Sequence, residues 1–294
     1  MTAPPMLVGL VGANIMKSLS PALHEDALAA TGRRGYYHLM DLDRLPGRTL
    51  DQLLQAVKVA GFAGVNVTFP CKQAVMPLLD EISAEAREIG AVNTVAISND
   101  GRTTGHNTDR IGFQRSFEEV LGRAAIDGRS AVLIGAGGAG RAVASALMGL
   151  GAATVIIHDT DKVRASALVA DLIMLFGASR CRLADDLPRA IAGAAGVVNA
   201  TPIGMHGFPG NPVPMGAITA KHWVADIIYS PMETELIIAA RGKGAAVLTG
   251  GGMCVHQAAE SFRLFAGHPP DVARMHQTFA AALARRDAGA AAKA

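Results

Sequence analysis

Three glycines and one acid define the first chemistry available to this chain. The segment Val132-Leu-Ile-Gly135-Ala136-Gly137-Gly138-Ala139-Gly140-Arg-Ala is followed by Thr154-Val-Ile-Ile-His-Asp159. It reads as strand, tight turn, helix and second strand. Gly135 permits the turn, Gly137 lets backbone approach a pyrophosphate, and Gly140 allows the helix to pack closely on the strand. The helix N-terminus adds unpaired N–H groups and a partial positive charge. Asp159 ends the second strand about 20 residues past the turn, where a carboxylate accepts both hydroxyls of an adenosine ribose. A 2′-phosphate placed there would face like charge at about 4 Å, costing up to roughly 4 kcal/mol per unit charge at an effective dielectric near 20. The segment therefore predicts NAD rather than NADP, although Arg164 lies nearby and suits a phosphate.

A second set of polar groups precedes that turn. Gly12-Ala-Asn14-Ile-Met-Lys17-Ser18-Leu-Ser20-Pro21 leaves a strand and enters a helix, with Ser20 expected at the N-cap and Pro21 at the first helical position. Ser18 and Ser20 serve either as a simple cap or as a neutral carboxylate site that needs no arginine. In Gly64-Val-Asn66-Val-Thr68-Phe-Pro70-Cys-Lys72 a buried-looking strand ends in a proline-fixed turn and a lysine. A single lysine is usually a solvated surface residue. Lys72, however, falls at the C-terminal end of a strand, the edge where open α/β sheets bind ligands, and there it can act as a general base. Asn93-Thr94 and Gly105-His-Asn107-Thr108-Asp109 add amides and hydroxyls suited to a polyol ring. Asp109 is either the N-cap of a following helix or the partner of Lys72 in relaying one proton, as oxidation of a secondary alcohol requires.

These groups need a scaffold. Strand patterns at Leu7–Val11, Tyr36–Leu42, Gly64–Thr68 and Val92–Ile97 alternate with helical ones at Ala22–Ala30, Leu50–Ala60 and Gln73–Leu79. They predict a parallel-sheet α/β substrate domain over residues 1–110. Strands at Ala131–Ile134, Thr154–Asp159, Arg180–Leu183, Gly196–Asn199 and Trp223–Ile228 predict a Rossmann-type doubly wound domain over 111–249. Two closing helices, Val255–Phe265 and Pro270–Ala282, are expected to pack back on the first domain, with residues 285–294 a frayed tail.

At 294 residues the chain exceeds what one core usually supports, which favours two domains. Half of it is hydrophobic and 18% charged, so disorder is excluded. A net charge of +2 without a basic run predicts small-molecule partners and no nucleic acid. The three widely spaced cysteines form no CxxC pair, which fits a reducing compartment. No charged leader and no run of about 18 apolar residues is visible, so a cytoplasmic protein without a membrane partner is expected. His24, His206, His222 and His256 lack a metal-site spacing, and no metal is expected.

Taken in order, the S-x-S-P turn, N-V-T-x-P-x-K, A-V-N-T, G-x-N-T-D-x-x-G, the GAGGAG turn, Asn199-Ala-Thr201-Pro-Ile-Gly-Met205, Asp226-Ile-Ile-Tyr229-Ser-Pro231 and Gly252-Met253…Gln257 resemble the shikimate and quinate dehydrogenases over nearly the whole chain. The resemblance implies that Lys72 and Asp109 form the catalytic pair and that Ser18, Ser20, Thr68, Asn93, Tyr229 and Gln257 line the substrate pocket. It further implies that Asn199, Thr201, Met205 and Gly250 contact the nicotinamide side. NADP-using members usually carry Asn-Arg-Thr after the second strand of the nucleotide domain, where this chain has Asp159-Thr160-Asp161. The departure is similar to the NAD-using quinate/shikimate branch.

The implied reaction oxidises the C3 hydroxyl of shikimate or quinate, a hydroxy cyclohexene or cyclohexane carboxylate. Ring pocket and cofactor are expected to meet between domains that close over them. Ser20 stands where quinate-preferring members often carry threonine, and Lys17 and Thr249 also depart from common family residues, so the preferred ring acid stays open. Monomer and homodimer both stay open. The rivals are a dehydrogenase for an aminated shikimate analogue, a folate-type dehydrogenase, which the S-x-S-P turn disfavours, and a non-catalytic NAD-binding regulator, against which Lys72 and Asp109 argue.

Overall fold

The computed structural model describes the backbone of residues 5–291 and the side chains of residues 5–288. It divides into two compact units: the chain up to Thr108 together with the chain from Val255 onward, and Asp109–Cys254.

The first unit contains strands β1 (Met6–Gly12), β2 (Gly35–Asp41), β3 (Gly64–Val67), β4 (Glu81–Ile82), β5 (Thr94–Ile97) and β6 (Thr103–His106), connected through helices α1 (Ser20–Ala30), α2 (Leu50–Val59) and α3 (Ala84–Ile89). They form one sheet in the order β2-β1-β3-β5-β6-β4. β1 is central and parallel to both neighbours, with Val8 opposite Tyr37 on one side and Gly64 on the other. α2 begins with a reciprocal Thr49–Gln52 capping box and buries Leu53, Leu54 and Val57 against Val11, Val65 and Val95.

Two expectations fail here. The sheet is mixed, because β5 runs antiparallel to both β3 and β6. The β5–β6 reversal follows from a five-residue hairpin, Ser98-Asn-Asp-Gly101-Arg102, whose Gly101 has φ +82° and whose ends bond across from Ser98 N–H to the Arg102 carbonyl at 2.9 Å. So short a connection reverses the chain direction. The expected helix at Gln73–Leu79 is a run of turns ending in a 3-10 helix, Met76–Leu78. Pro77 has no N–H to give to the carbonyl of residue 73, so an α-helix cannot pass through it.

The second unit opens with α4 (Asp109–Val120) and continues through β7 (Ser130–Ile134), α5 (Gly138–Gly149), β8 (Thr154–His158), α6 (Lys162–Phe176), β9 (Cys181–Leu183), α7 (Leu187–Ala192), β10 (Gly196–Asn199), β11 (Trp223–Asp226), α8 (Glu235–Gly242) and β12 (Ala246–Leu248). Its six strands are all parallel, in the order β12-β11-β10-β7-β8-β9. Alternate residues serve opposite faces: Ala131 and Leu133 join the core with α4 and α5, whereas Val132 and Ile134 join the core with Ile191 and Leu236. Phe117 of α4 meets the Trp223 ring edge-on at 5.0 Å, and the Trp223 indole N–H donates to the Ala125 carbonyl at 3.1 Å. Truncating the fully buried Phe117 to alanine would cost about 3–5 kcal/mol. Strand order reverses between β7 and β10, the switch point at which such sheets take ligands beyond their C-terminal ends.

The last helices are α9 (Gly250–Ala266) and α10 (Val272–Ala291), and the division between the units falls within α9. In the first unit Phe265 of α9 packs with Val8, Leu10 and Tyr37. α10 is tied to α1 by Arg274, which donates to both Asp26 carboxylate oxygens at 2.7 and 2.8 Å, and by the Thr278 hydroxyl at 2.8 Å. The segment expected to be a frayed tail is assigned to α10 as far as Ala291. Residues 292–294 of that expectation lie outside the described residues. Cys71, Cys181 and Cys254 are buried. Among the described residues no helix is long and apolar enough to cross a membrane.

Candidate active site

In the second unit the glycines after β7 meet the requirements read from their spacing. Gly135 has φ +103°, and a Cβ on Gly140 would lie 2.0 Å from the Gly135 carbonyl oxygen, so helix and turn touch backbone to backbone. Gly137 is the N-cap of α5 and supplies no side-chain cap, which leaves first-turn N–H groups for an anion. Asp159 is 8% exposed directly after β8. Its Oδ2 accepts the Ala136 N–H at 2.8 Å, and its Oδ1 accepts the Asp161 N–H at 2.9 Å. Burial, and then Lys162, hold the His158 imidazole below its usual pKa. Asp161 caps α6 and pairs with Arg164. These residues fit a dinucleotide.

Asn199 and Thr201, expected on the nicotinamide side, shape the turn after β10 through their own hydrogen bonds. The fully buried Asn199 donates to the Ile203 carbonyl at 3.0 Å and to Asp226 at 3.2 Å, while its oxygen accepts the Thr201 N–H and hydroxyl. A buried amide must satisfy all of its groups, and the turn after β10 does so internally. Met205 lies half-buried further along that loop. Gly250 opens α9, where a Cβ would meet the Ile227 carbonyl oxygen at 2.3 Å, so its spacing is a matter of close approach. Tyr229 is half-buried in the segment after β11. The sequence motif that contains it concealed the role of Asp226, which is 2% exposed and accepts hydrogen bonds from the Ile228 N–H, the Thr234 hydroxyl and Asn199. Burial pushes its carboxyl up to about 6.

In the first unit the predicted groups gather where β1 and β3 end. A Cβ on Gly12 would lie 2.3 Å from the Thr68 methyl and 2.9 Å from the Phe69 carbonyl oxygen. The backbones interlock, Thr68 N–H donating to the Val11 carbonyl and Ala13 N–H to that of Phe69. The loop bearing Ser18 thus starts beside Thr68. Its geometry owes much to Asp41 at the end of β2, which accepts the N–H groups of Asn14 and Ile15, a role the sequence did not disclose. Ser20 is not the N-cap: Leu19 holds that position, and Ser20 opens the helix with its N–H donated to Ser18 Oγ at 3.2 Å. Ser18 also donates to Ser20 Oγ at 3.1 Å, so the two hydroxyls are a coupled pair.

Lys72 is half-buried, and its carbonyl accepts the Val92 N–H at 2.8 Å. The next residue, Asn93, is 3% exposed; its Oδ1 accepts the Thr108 N–H at 2.7 Å and the Thr94 hydroxyl at 3.0 Å. Asn107 donates to the Ala91 carbonyl at 2.9 Å. Both sides of the turn leading to Asp109 are therefore pinned to the stretch that pins Lys72. Asp109 is 5% exposed and sits inside the first turn of α4 rather than at a cap. A further buried chain, Tyr37 hydroxyl to Asn66 to Thr94, supports Asn93 from β2 and β3. Gln257 is half-buried on α9. His256, read as isolated, packs its ring against His276 of α10 with centroids 5.2 Å apart.

Residues 10–95 match the shikimate dehydrogenase substrate-binding domain, and residues 250–278 match the shikimate 5′-dehydrogenase C-terminal domain. A quinate/shikimate dehydrogenase (NAD(+)) of Corynebacterium efficiens is 46% identical over 278 residues, covering 93% of this chain and 97% of the relative. The chain belongs to the shikimate dehydrogenase family. The family's cofactor usage is divided among its relatives, since a shikimate dehydrogenase (NADP(+)) of Streptomyces avermitilis is 47% identical over 279 residues, covering 94% of this chain and 95% of its own. Among solved members, quinate dehydrogenase from Corynebacterium glutamicum in complex with NAD is 44% identical, with a TM-score of 0.87 over 94% of this chain and 99% of that one. Membership makes the protein an oxidoreductase with a two-domain α/β fold.

Proposed function

We propose that the protein catalyses the reversible, NAD-dependent oxidation of the C3 hydroxyl of shikimate or quinate to the 3-dehydro acid. In this reading Ser18 and Ser20 take the ring carboxylate, Thr68 and Asn93 the ring hydroxyls, and Tyr229 and Gln257 make further ring contacts. Lys72 removes the C3 hydroxyl proton or stabilises the developing alkoxide. Asp109 orients Lys72 and offsets its charge. A dinucleotide held by the Gly135–Gly140 turn and Asp159 would supply the hydride-accepting chemistry at C3.

The observation that carries the NAD assignment is the bonding of Asp159 to the Ala136 N–H, which holds a buried carboxylate at the turn where the adenosine ribose would rest. The relatives named for NAD support the same choice. Steady-state kinetics with shikimate and quinate, each against NAD and NADP, test the whole reading. Reduction of NAD with at least one ring acid, and a higher kcat/KM for NAD than for NADP, is expected. Reduction with neither acid, or a preference for NADP, overturns it, and turnover of an amino analogue alone would move the substrate class.

A further inference from the structure

Asp161 gives both carboxylate oxygens to one residue. Its Oδ1 accepts the backbone N–H of Arg164 at 3.0 Å, and its Oδ2 lies 3.3 Å from the Arg164 guanidinium. Its own N–H is held by Asp159. The two acids and the arginine are therefore one connected unit at the end of β8 and the start of α6. Remove the charge of Asp161, and the same stretch presents Lys162, Arg164 and a helix N-terminus, a combination that attracts a phosphate ester.

We propose that Asp161 is a second determinant of cofactor selectivity: by keeping Arg164 in an internal ion pair, it denies a dinucleotide 2′-phosphate the guanidinium that would bind it. This rests on the NAD reading of the site and adds to it a separate device. Asp159 repels the phosphate, whereas Asp161 withholds its partner. The Asp161–Arg164 pair is about half-exposed and contributes little to stability, so breaking it should not unfold the unit. Asparagine caps a helix as well as aspartate does, so Asp161→Asn removes the charge and keeps the cap.

Four proteins decide the matter: the wild type, Asp159→Asn, Asp159→Asn with Asp161→Asn, and that double variant with Arg164→Ala. Each is titrated calorimetrically with NAD and with NADP, without ring acid, at low salt and at about 0.5 M salt. The double variant should bind NADP about tenfold more tightly than Asp159→Asn alone, a gain that high salt weakens and Arg164→Ala abolishes. Equal NADP affinity with and without the Asp161 charge, or a gain that survives loss of Arg164, overturns the proposal. Since no turnover is read, failure of the proposed oxidation leaves this test standing. Failure to bind either dinucleotide sinks both.

Discussion

Asp159 Oδ2 accepts the backbone N–H of Ala136 at 2.8 Å, so the acid after β8 is bonded to the turn after β7. One carboxylate thereby shapes the glycine-rich turn and, in the proposed reading, marks the ribose position. Asp159→Ala should raise the KM for NAD by about tenfold or more, as expected when a charge-assisted hydrogen bond is lost, and should narrow the gap between NAD and NADP. Parallel kcat/KM measurements with both cofactors check this; an unaltered ratio would remove Asp159 from cofactor choice.

Lys72→Ala should lower kcat by about 100- to 10,000-fold, the usual contribution of a positioned acid or base. Calorimetric NAD affinity should stay within about twofold of wild type, because Lys72 belongs to the first unit and the glycine turn to the second. Turnover that survives the substitution would exclude Lys72 from the chemistry.

Asn93→Ala strips the buried Thr108 N–H of its acceptor. An unsatisfied buried donor costs about 1–3 kcal/mol, so the melting temperature should fall by several degrees. If the turn before Asp109 is held by this bond, kcat should drop more than stability alone explains at a temperature where the variant is folded. Wild-type kcat in a destabilised variant would show that Asn93 has a structural role only.

His24 lies in the core against Tyr37, at a ring separation of 4.7 Å, and neither of its ring nitrogens has a hydrogen-bond partner among the described residues. Burial lowers its pKa to about 3. The unfolded chain, with the ordinary value, binds the proton first as pH falls, so stability is lost on acidification below pH 6.5. About 3 kcal/mol should disappear between pH 6.5 and pH 4 on this account, and His24→Phe should abolish that part of the slope. Denaturant melts of both proteins across the range give the comparison.

Asp226 works in the opposite direction. Its carboxyl is raised to about 6 by burial, so the folded state holds the proton more tightly than the unfolded one. Its contribution is most favourable below the unfolded carboxyl value near 4 and is lost as pH rises to about 6. Asp226→Asn should flatten that segment of the stability profile. A profile identical to wild type would mean that Asp226 is ionised without cost in the fold.

The parts of this protein most legible in its sequence are those where a residue type has few uses. Gly135 and Gly140 could be read because only glycine tolerates such a backbone approach, and the capped, apolar spacing of α2 declares its buried face. The direction of β5 was hidden because a strand's pattern reports its faces and not its polarity; only the Asn99-Asp100-Gly101 hairpin signal could have supplied it. Asn93, Asn199 and Thr201 were legible as polar groups near the ends of strands, yet whether an amide faces a ligand or braces a loop depends on partners distant in sequence. Asp41 and Asp226 were obscure for the same reason. Each is one more acid in the chain until the loop it holds is seen.

The bonds from Arg274 and Thr278 to Asp26 carry a consequence for biogenesis. Asp26 precedes Arg274 by 248 residues and Thr278 by 252, so it is translated well before either partner. The nascent first unit must therefore wait, with the α1 face still uncovered, while the contiguous second unit is made and can already acquire its native core. A ribosome-stalled chain ending before Val272 should carry a protease-resistant nucleotide-binding half and a vulnerable beginning.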